Sequence, residues 1–429
     1  VNMWKIIIIG TITSLCLSLL VSCSDEIEVR GIPETENKDE FVLKGCHPIK
    51  LSSEEQDMLD SQEQFAFDIF EQLLKKENGN FVFSPFDLSV MLGMIANGLD
   101  DDSKEEIVKT QYGKLVDFNK LNSLNSYLSR ELPEVDNSME FFRYKLGRVN
   151  YPDSFNDSFK SISVELYDAD LESADFANPR FLRSLNSFVS SHTGVICKTI
   201  PELILNDGLF FMDINYFKGK WTAPFDKSAT TFHEFRNLDN TFSNVSMMHV
   251  KDKSFAFFSS DNCRMVKIPF GNEALSLYVF MSEEENVKKI FNETLSTNRR
   301  RNILQENYFD LAYRGGEVIF PKFEISSILS ESLISALQEI GIDGIFKKGN
   351  DLSLLLNQKS TGKFPLLQAN CLKFDEEGVE GEELSYDHIS SCVPISPKFE
   401  TFTFDRPFYF LIEEYSTGTI LFMGAVRQF

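Results

Sequence analysis

The sequence has few of the residues and motifs from which catalytic and metal sites are usually built. It contains no HExxH motif, no GxxxxGKS or GxxxxGKT phosphate loop, no GxSxG elbow and no glycine-rich dinucleotide turn. The five histidines are scattered, and none has the spacing of a metal ligand: they are His47, His192, His233, His249 and His388. We therefore expect neither an enzyme nor a bound metal or cofactor.

Positive charge is scarce as well. The chain has 42 Lys and Arg residues against 65 Asp and Glu residues, which gives a formal net charge of -23 at pH 7. A field of that sign repels polyanions. Nucleic acid, acidic lipid headgroups and heparin-like glycans are therefore not expected as partners, and most of this charge is expected to keep the surface solvated.

The seven cysteines include no CxxC pair. The five that follow Cys23 are widely spaced, and an odd number cannot all pair internally, so at least one is expected to stay free. The sequence implies no disulfide framework. Cysteines in strand-like segments are expected to pack as small apolar residues. A catalytic pair of Cys392 with His388 is conceivable, but both lie in a polar stretch with nothing rigid to orient them, so a hydrolase is the least favoured function.

Hydrophobic residues, in contrast, make up 42% of the chain and include 41 Phe, which is enough for an extensive core. The one long apolar run, IIIIGTITSLCLSLLVSC, follows Lys5 and ends at Cys23. It is short for a membrane span and fits a cleaved export signal.

The end of this run, Leu20–Cys23, resembles the bacterial lipobox, in which the cysteine is acylated and becomes the mature N-terminus. The following Ser24–Glu26 resembles the acidic signal that sends some lipoproteins to the outer cell surface. The alternative is an ordinary secretory signal with a chance cysteine. We expect an exported outer-membrane lipoprotein at the cell surface that touches the membrane only through lipidated Cys23.

The remaining chain predicts an acidic tether and one folded domain. Residues 24–50 are polar and acidic, as expected of a flexible tether, and residues 51–429 contain no repeats. Helical spacing comes first, as at Phe65, Ile69 and Leu73, and strand-like runs dominate later. The last two form a hairpin with its turn near Tyr415–Gly418. This order predicts an α+β fold.

Several segments resemble, in the same order, the serpin family of serine protease inhibitors. The resemblance spans about Glu54 to Phe429 and implies a serpin-like fold: an N-terminal helical region, three β-sheets and an exposed reactive-centre loop, here about 378–397. The segments are NFVFSPFDLSVMLGMIANG (80–98), LNSFVSSHTGVI (185–196), NYFKGKWTAPFDKSAT (215–230), IFPKF (319–323), GIDGIFKKGNDLS (341–353), DEEGVE (375–380) and DRPFYFLI (405–412).

The resemblance implies a monomeric inhibitor that acts as a suicide substrate. A target endopeptidase cuts the loop and forms an acyl-enzyme. The upstream part of the loop then inserts into the main sheet as a new strand and traps the enzyme. The free energy would come from strand hydrogen bonds of about 1 kcal/mol each and from roughly 25 cal/mol per Å² of apolar surface buried.

The resemblance also assigns residues to three sites. Glu376, Glu377 and Gly378 form the base of the hinge, which continues through Val379, Glu380, Gly381 and Glu383. Lys322 and Glu376 take the positions of a gate ion pair near the sheet top, and Trp221 that of a tryptophan under the insertion site. Ser84, Asn186 and Gln368 match the shutter cluster beneath the sheet, with Asp87 where a serine is usual.

The hinge departs from the family pattern at Glu383. Strand side chains alternate between faces. In the inserted register Val379, Gly381, Glu383, Ser385 and Asp387 would face inward, and Glu380, Glu382, Leu384 and Tyr386 outward. Burying an unpaired carboxylate costs several kcal/mol. If this cost slows insertion, the protease escapes, and the alternative is a non-inhibitory surface binding or storage protein, or a simple protease substrate.

The scissile bond is predicted less sharply. Counting from Glu376 by the family's usual hinge length gives Cys392–Val393, with Ser391–Cys392 or a bond nearer Tyr386 as alternatives. A small residue before the cut suits an elastase-, subtilisin- or papain-like enzyme. No Arg or Lys lies between Gly378 and Pro397, so a trypsin-like target is not expected. Cys392 has a rival role as a redox-sensitive thiol.

Overall fold

The computed structural model describes most of the chain after residue 45. The described residues are 46–193, 199–202, 205, 208–252, 255–259, 263–282, 316–347, 349–358, 361–362, 365–378 and 400–429. The predicted export signal with Cys23, nearly all of the tether, and the loop after Gly378 lie outside them.

Seven α-helices occur in the described part of the chain. The first begins with a capping box in which Ser52 and Glu55 satisfy each other's backbone amides, and the second with Ser84 as cap and Pro85 as its first residue. Their bounds are α1 (Ser53–Lys76), α2 (Pro85–Ala96), α3 (Asp101–Tyr112), α4 (Phe118–Glu131), α5 (Asp157–Tyr167), α6 (Pro179–Thr193) and α7 (Glu331–Glu339).

The strands form three β-sheets and one two-residue ladder. Their bounds are β1 (Phe81–Phe83), β2 (Met139–Asn150), β3 (Ala169–Ala174), β4 (Leu209–Gly219), β5 (Thr231–Arg236), β6 (Phe242–Asp252), β7 (Ala256–Ser259), β8 (Cys263–Phe270), β9 (Leu275–Ser282), β10 (Gly316–Pro321), β11 (Phe323–Leu329), β12 (Asn350–Asp351), β13 (Thr361–Gly362), β14 (Leu366–Phe374), β15 (Glu400–Thr403), β16 (Phe408–Glu414) and β17 (Ile420–Val426). The ladder is β12 with β13.

The largest sheet has six strands in the order β1-β17-β16-β9-β8-β7, and a four-stranded sheet has the order β15-β10-β6-β5. The hairpin predicted at the C-terminus is confirmed as β16 and β17, which pair antiparallel. The α+β class is confirmed as well.

A five-stranded sheet, in the order β11-β14-β4-β2-β3, contains the candidate site. Its central strands β14 and β4 run parallel, whereas β14 runs antiparallel to β11, and β4 antiparallel to β2. One face packs against α6 through Leu185 and Val189. The other face joins the main core, which includes α2 and the six-stranded sheet.

Two further observations concern the membrane and the cysteines. Among the described residues, no helix is both long and apolar enough to cross a bilayer. Cys46 and Cys263 are thiols and not disulfide cysteines. Cys371 is disulfide-bonded, so the expectation of simple apolar packing is wrong there. Its partner lies outside the described residues, and spacing along the sequence could not indicate it.

Candidate functional site

The site is centred on the contact between β4 and β14, which we call the seam. Six residue pairs join the strands, from Leu366 with Phe211 to Cys371 with Tyr216. Pairing then stops, although β14 continues to Phe374 and β4 to Gly219. The two strands therefore separate at the upper end of the seam.

A tight turn fills the space above this separation, and we call Asp375–Gly378 the hinge turn. Asp375 and Gly378 exchange both backbone hydrogen bonds, at 3.3 and 3.2 Å, in an antiparallel bridge. Glu376 and Glu377 form the two-residue loop. Gly378 is therefore paired back with the residue that follows β14, as in a tight hairpin turn.

Gly378 is held where no other residue fits. Its φ is +97°, a conformation that residues with a side chain rarely adopt. A Cβ atom there would lie 2.4 Å from the carbonyl oxygen of Gly219 and 2.5 Å from the amide nitrogen of Trp221. Both are backbone atoms that cannot rotate away, so the glycine lets the hinge turn pack directly onto the end of β4.

The gate pair predicted from the sequence is formed. The buried carboxylate of Glu376 accepts a hydrogen bond from Lys322 Nζ at 2.7 Å and one from Thr230 Oγ1 at 2.9 Å. Burial raises the pKa of Glu376, but these bonds outweigh burial and hold the pKa below its usual value. The Phe225 amide also donates to the Glu376 carbonyl at 2.8 Å, so several elements fix the turn.

Trp221 lies beneath the hinge turn. Its indole is stacked on Phe270 with ring centroids 4.6 Å apart, and its Nε1 donates to the Asp375 carbonyl at 2.8 Å. Its amide donates to the Glu377 carbonyl at 3.3 Å. The tryptophan therefore joins the apolar core to the backbone of the turn.

Below the gate, two lines of polar side chains cross the sheet on its core face, and we call them the polar rows. Each consists of residues paired from strand to strand, and both lines run across the seam. The upper row is Arg143, Asn215, Asn370 and Ser327, and the lower row is Lys145, Asp213 and Gln368. All but Arg143, whose side chain is 9% exposed, are buried residues.

Side-chain hydrogen bonds in these rows cross the seam. Asn215 Nδ2 donates to Asn370 Oδ1 at 3.1 Å, and Gln368 Nε2 donates to Asp213 Oδ2 at 3.2 Å. The Oδ1 atoms of Asp213 and Asn215 have no hydrogen-bond partner in the described part of the chain. Buried polar atoms normally have one, so the rows are not fully satisfied while the seam is closed.

Asp87, in the first turn of α2, connects the rows to the core below. Its Oδ1 accepts from Arg143 Nε at 2.8 Å and lies 3.4 Å from Lys145 Nζ, and its Oδ2 accepts from Ser84 Oγ at 2.9 Å. Burial raises the pKa of Asp87, but the charges of Arg143 and Lys145 outweigh it and hold the pKa below its usual value. Asp87 therefore joins two cations and the cap of α2 in one buried charged cluster.

Asp213 is the second buried carboxylate of the cluster. Burial, and then the charge of Asp87, raises its pKa to about 6. The hydrogen bond from Asn215 Nδ2, at 2.7 Å, and the charge of Lys145 oppose this shift without cancelling it. Asp213 therefore takes up a proton under mildly acidic conditions.

The structure brings together three of the four predicted shutter residues. Gln368 receives a hydrogen bond from the Ser84 amide and returns one to its carbonyl, both at 2.8 Å, and Ser84 bonds to Asp87. Asn186 is a correction. It lies on α6, on the opposite face of the sheet, where it donates to the Leu182 carbonyl and accepts from the Ile200 amide.

Sequence reasoning missed six members of the polar rows, all of them buried or nearly so: Arg143, Lys145, Asp213, Asn215, Ser327 and Asn370. A signal was present, because each of three apolar strands carries two polar residues spaced i, i+2, as in RYK, DIN and QAN. That spacing puts both on one face of a strand. The pairing of strands about 155 residues apart was needed to align the three.

The loop residues assigned from the sequence lie outside the described residues: Val379, Glu380, Gly381, Glu383, Tyr386, Ser391, Cys392 and Val393. Their roles stay predictions. Across the described ranges, no group of three or more His, Cys, Asp and Glu side chains is arranged to hold a metal ion.

Comparison with known proteins gives a family for this chain. The model for "Serpin (serine protease inhibitor)" matches residues 60–429. Similar curated proteins include human leukocyte elastase inhibitor, 27% identical over 84% of this chain and 96% of its own. An uncharacterised serpin-like protein of Methanosarcina acetivorans is 26% identical over 97% of both chains.

Solved structures agree on the fold. Human glycosylated kallistatin matches with a TM-score of 0.74 and 21% identity, over 88% of this chain and 99% of its own. A thermophilic serpin, tengpin, in the native state matches with a TM-score of 0.69 and 19% identity, over 89% and 96%. At such identities the likeness establishes the fold alone.

Proposed function

The chain belongs to the serpin family, and from this premise we propose that it inhibits serine endopeptidases, and papain-like cysteine endopeptidases, as a suicide substrate. The segment from Gly378 to about Pro397 is the bait. Cleavage at or near Cys392–Val393 leaves an acyl-enzyme, and the upstream part of the loop then enters the seam. Among relatives, human leukocyte elastase inhibitor carries an inhibitory activity in its name.

The observation that carries this proposal is the closed seam beneath the hinge turn. Two parallel strands, β14 and β4, are joined by only six residue pairs and separate at the point where the hinge turn directs the chain back. A strand that enters there would run antiparallel to both neighbours and replace one parallel ladder by two antiparallel ones. Antiparallel pairing is slightly more stable than parallel pairing, so insertion of the strand would be favourable.

The gate and the charged cluster fit a sheet that must stay closed until the loop is cut. Lys322, Thr230 and Trp221 fix the hinge turn above the seam, and two side-chain hydrogen bonds cross it below. Each would have to break or be replaced during insertion. These contacts support a fold held away from its lowest free energy by a kinetic barrier.

The place of action is proposed from the N-terminal sequence. A lipidated Cys23 would hold the inhibitor at the outer face of the cell, tethered through residues 24–50, where it would meet extracellular proteases. Elastase-, subtilisin- and papain-like enzymes suit the small residues near Cys392, and the absence of Lys and Arg between Gly378 and Pro397 disfavours trypsin-like ones.

The test is a mixing experiment with residues 24–429. The protein is incubated with elastase-, subtilisin-, papain- and trypsin-type proteases, and products are separated after boiling in detergent. A covalent complex with at least one of the first three classes, which is lost when the protease nucleophile is blocked, is the expected result. Clean loop cleavage without a complex in every class would favour the non-inhibitory alternative.

A further inference from the structure

The hinge turn sets a register for the residues that follow it. Asp375 is paired with Gly378 through both backbone hydrogen bonds. If the hairpin continues along β14 without a bulge, each step down β14 meets one step further along the loop. Val379 then comes opposite Phe374, Gly381 opposite Leu372, Glu383 opposite Asn370, and Ser385 opposite Gln368.

This register brings two loop residues to the polar rows. Asn370 and Gln368 point to the core face of the sheet, where they belong to the upper and lower rows. Residues paired across two strands share a face. Glu383 would therefore enter the upper row between Asn370 and Asn215, and Ser385 the lower row between Gln368 and Asp213. Asp387 falls opposite Leu366, the first residue of β14, at the end of the seam.

We propose that the polar rows are the receiving site for Glu383 and Ser385 when residues 379–387 join the sheet. The inference rests on the proposed function, since it concerns the inserted strand. It changes the expected effect of Glu383 on stability. The glutamate would be destabilising in an apolar interior, but in this chain it would meet polar and cationic side chains.

The hydrogen bonds of the rows support this assignment. Entry of a strand parts β4 from β14 and breaks the bonds Asn215–Asn370 and Gln368–Asp213, which frees one N–H group on each side. Glu383 accepts hydrogen bonds, so it can take up the freed Asn215 Nδ2–H. Ser385 both donates and accepts, so it can accept from Gln368 and donate to Asp213, whose Oδ1 already lacks a partner.

The charges of the cluster can accommodate an acidic residue if one proton is taken up with it. Arg143 and Lys145 face Asp87 and Asp213, so two cations already stand against two carboxylates. Glu383 brings a third carboxylate, and one proton restores the balance. Asp213 is the group best placed to take that proton, because burial and the charge of Asp87 raise its pKa to about 6.

The test compares two neighbouring glutamates in the loop-cut protein. Residues 24–429 are nicked with a limiting amount of subtilisin, the cut is mapped by mass spectrometry to a bond beyond Asp387, and melting temperatures are measured for cut and uncut forms. Glu383→Ala is compared with Glu382→Ala, which removes the same charge from the face predicted to point outward.

A receiving site predicts that Glu383→Ala lowers the melting temperature of the cut form by about 2–5 °C relative to Glu382→Ala, with the uncut forms alike. A buried glutamate without partners predicts the opposite sign, because removing it would make the cut form harder to melt. Equal melting of the two cut variants, or a higher value for Glu383→Ala, overturns the inference.

A change on the receiving side gives an independent readout. Asn370→Asp, which is isosteric, places a carboxylate opposite Glu383 and should lower the melting temperature of the cut form. Adding Glu383→Gln should restore it, because the amide donates to the new carboxylate. Absence of this rescue, with the cut wild type normal, also overturns the inference.

These outcomes separate the inference from the proposed function. If the cut wild type melts no higher than the uncut one, no strand is inserted and the proposed function fails first. If the cut wild type melts higher while Glu383 and Glu382 behave alike, insertion occurs, the proposed function stands, and the rows are not the receiving site.

Discussion

At the scale of single residues, the hinge depends on a glycine for two separate reasons. Gly378 has φ +97°, and its missing side chain lets the turn approach the backbone of Gly219–Trp221. Gly113, at φ +64°, has the first property without the second, since nothing lies within 4 Å of a Cβ built there. Comparing Gly378 with Gly113 therefore separates the cost of the backbone conformation from the cost of steric contact.

We predict that Gly378→Ala destabilises the uncut protein by more than Gly113→Ala. The second change carries only the conformational cost, about 1 kcal/mol, whereas the first adds a collision with rigid backbone and should exceed about 2 kcal/mol. Thermal unfolding of both variants checks this. Equal losses would mean that the hinge turn can lift off β4 without cost.

The gate pair gives a prediction with a defined pH dependence. The hydrogen bonds to Glu376 lower its pKa, so their contribution to stability is present above its unfolded pKa near 4.5 and is lost as the pH falls through the lower folded value. Lys322→Met should therefore cost about 1 kcal/mol at pH 7, a modest figure because Lys322 is 43% exposed. The loss should shrink as the pH falls toward 3 and Glu376 takes up a proton.

The matched control is Lys109→Met, which removes a pair in which both side chains are about half exposed. Its effect should be within a few tenths of a kcal/mol at either pH. Melting curves of both variants are measured at pH 7 and pH 3. If the two variants change in melting temperature by the same amount at each pH, the stabilising role of the gate pair is contradicted.

At the scale of elements, the sequence predicted the parts better than their arrangement. The α+β class and the C-terminal hairpin followed from residue patterns, and the contact between Lys322 and Glu376 followed from family segments. The polar rows did not, because each strand shows only two polar residues in an apolar run, and the charge partner of each row lies on α2. Asn186 was misplaced because helical spacing does not reveal which face of a sheet the helix covers.

The rows make stability depend on pH through Asp213. Its pKa is raised from 3.8 to about 6, so between these values the folded protein binds more protons than the unfolded chain. Stability therefore falls as the pH rises through this window, by up to about 3 kcal/mol. Asp213→Asn should remove this slope, which makes the variant gain on the wild type between pH 4 and pH 7.5.

Urea unfolding of the uncut proteins at several pH values measures this difference. Asp170→Asn, a change at a partly exposed carboxylate on β3, serves as the control for charge removal elsewhere on the same sheet. Parallel pH profiles for wild type and Asp213→Asn would show that the pKa of Asp213 is not raised in the folded protein. The predicted loss of stability with rising pH would then be wrong.

At the scale of the whole molecule, the fold places the predicted hinge and the polar rows at the same junction of the five-stranded sheet. The hinge turn, the gate and the polar rows all lie along one junction between β4 and β14, and the core clusters lie on either side of it. Opening the junction separates few backbone pairs, whereas filling it adds a strand of about a dozen residues. With about 1 kcal/mol per hydrogen bond and burial in addition, the gain is of order 10 kcal/mol.

We therefore predict that cutting the loop raises the melting temperature of the protein by on the order of 10 °C. Differential scanning calorimetry of intact and nicked residues 24–429 measures the shift. The control is Val379→Arg, which places a cation at the first inward position, opposite buried Phe374. Its nicked form should gain little, and an equal gain in both proteins would mean that the increase does not come from this strand.

The two-residue hinge turn also constrains how such a chain can change in length. Because strand side chains alternate, one extra or missing residue between Gly378 and Ser385 would turn every inward group outward and leave the rows facing the wrong partners. Two extra residues would restore the faces but shift glutamate and serine past their positions. Residues beyond Asp387 are under no such constraint, so variation in bait length is tolerable only on the far side of the segment that the sheet must accommodate.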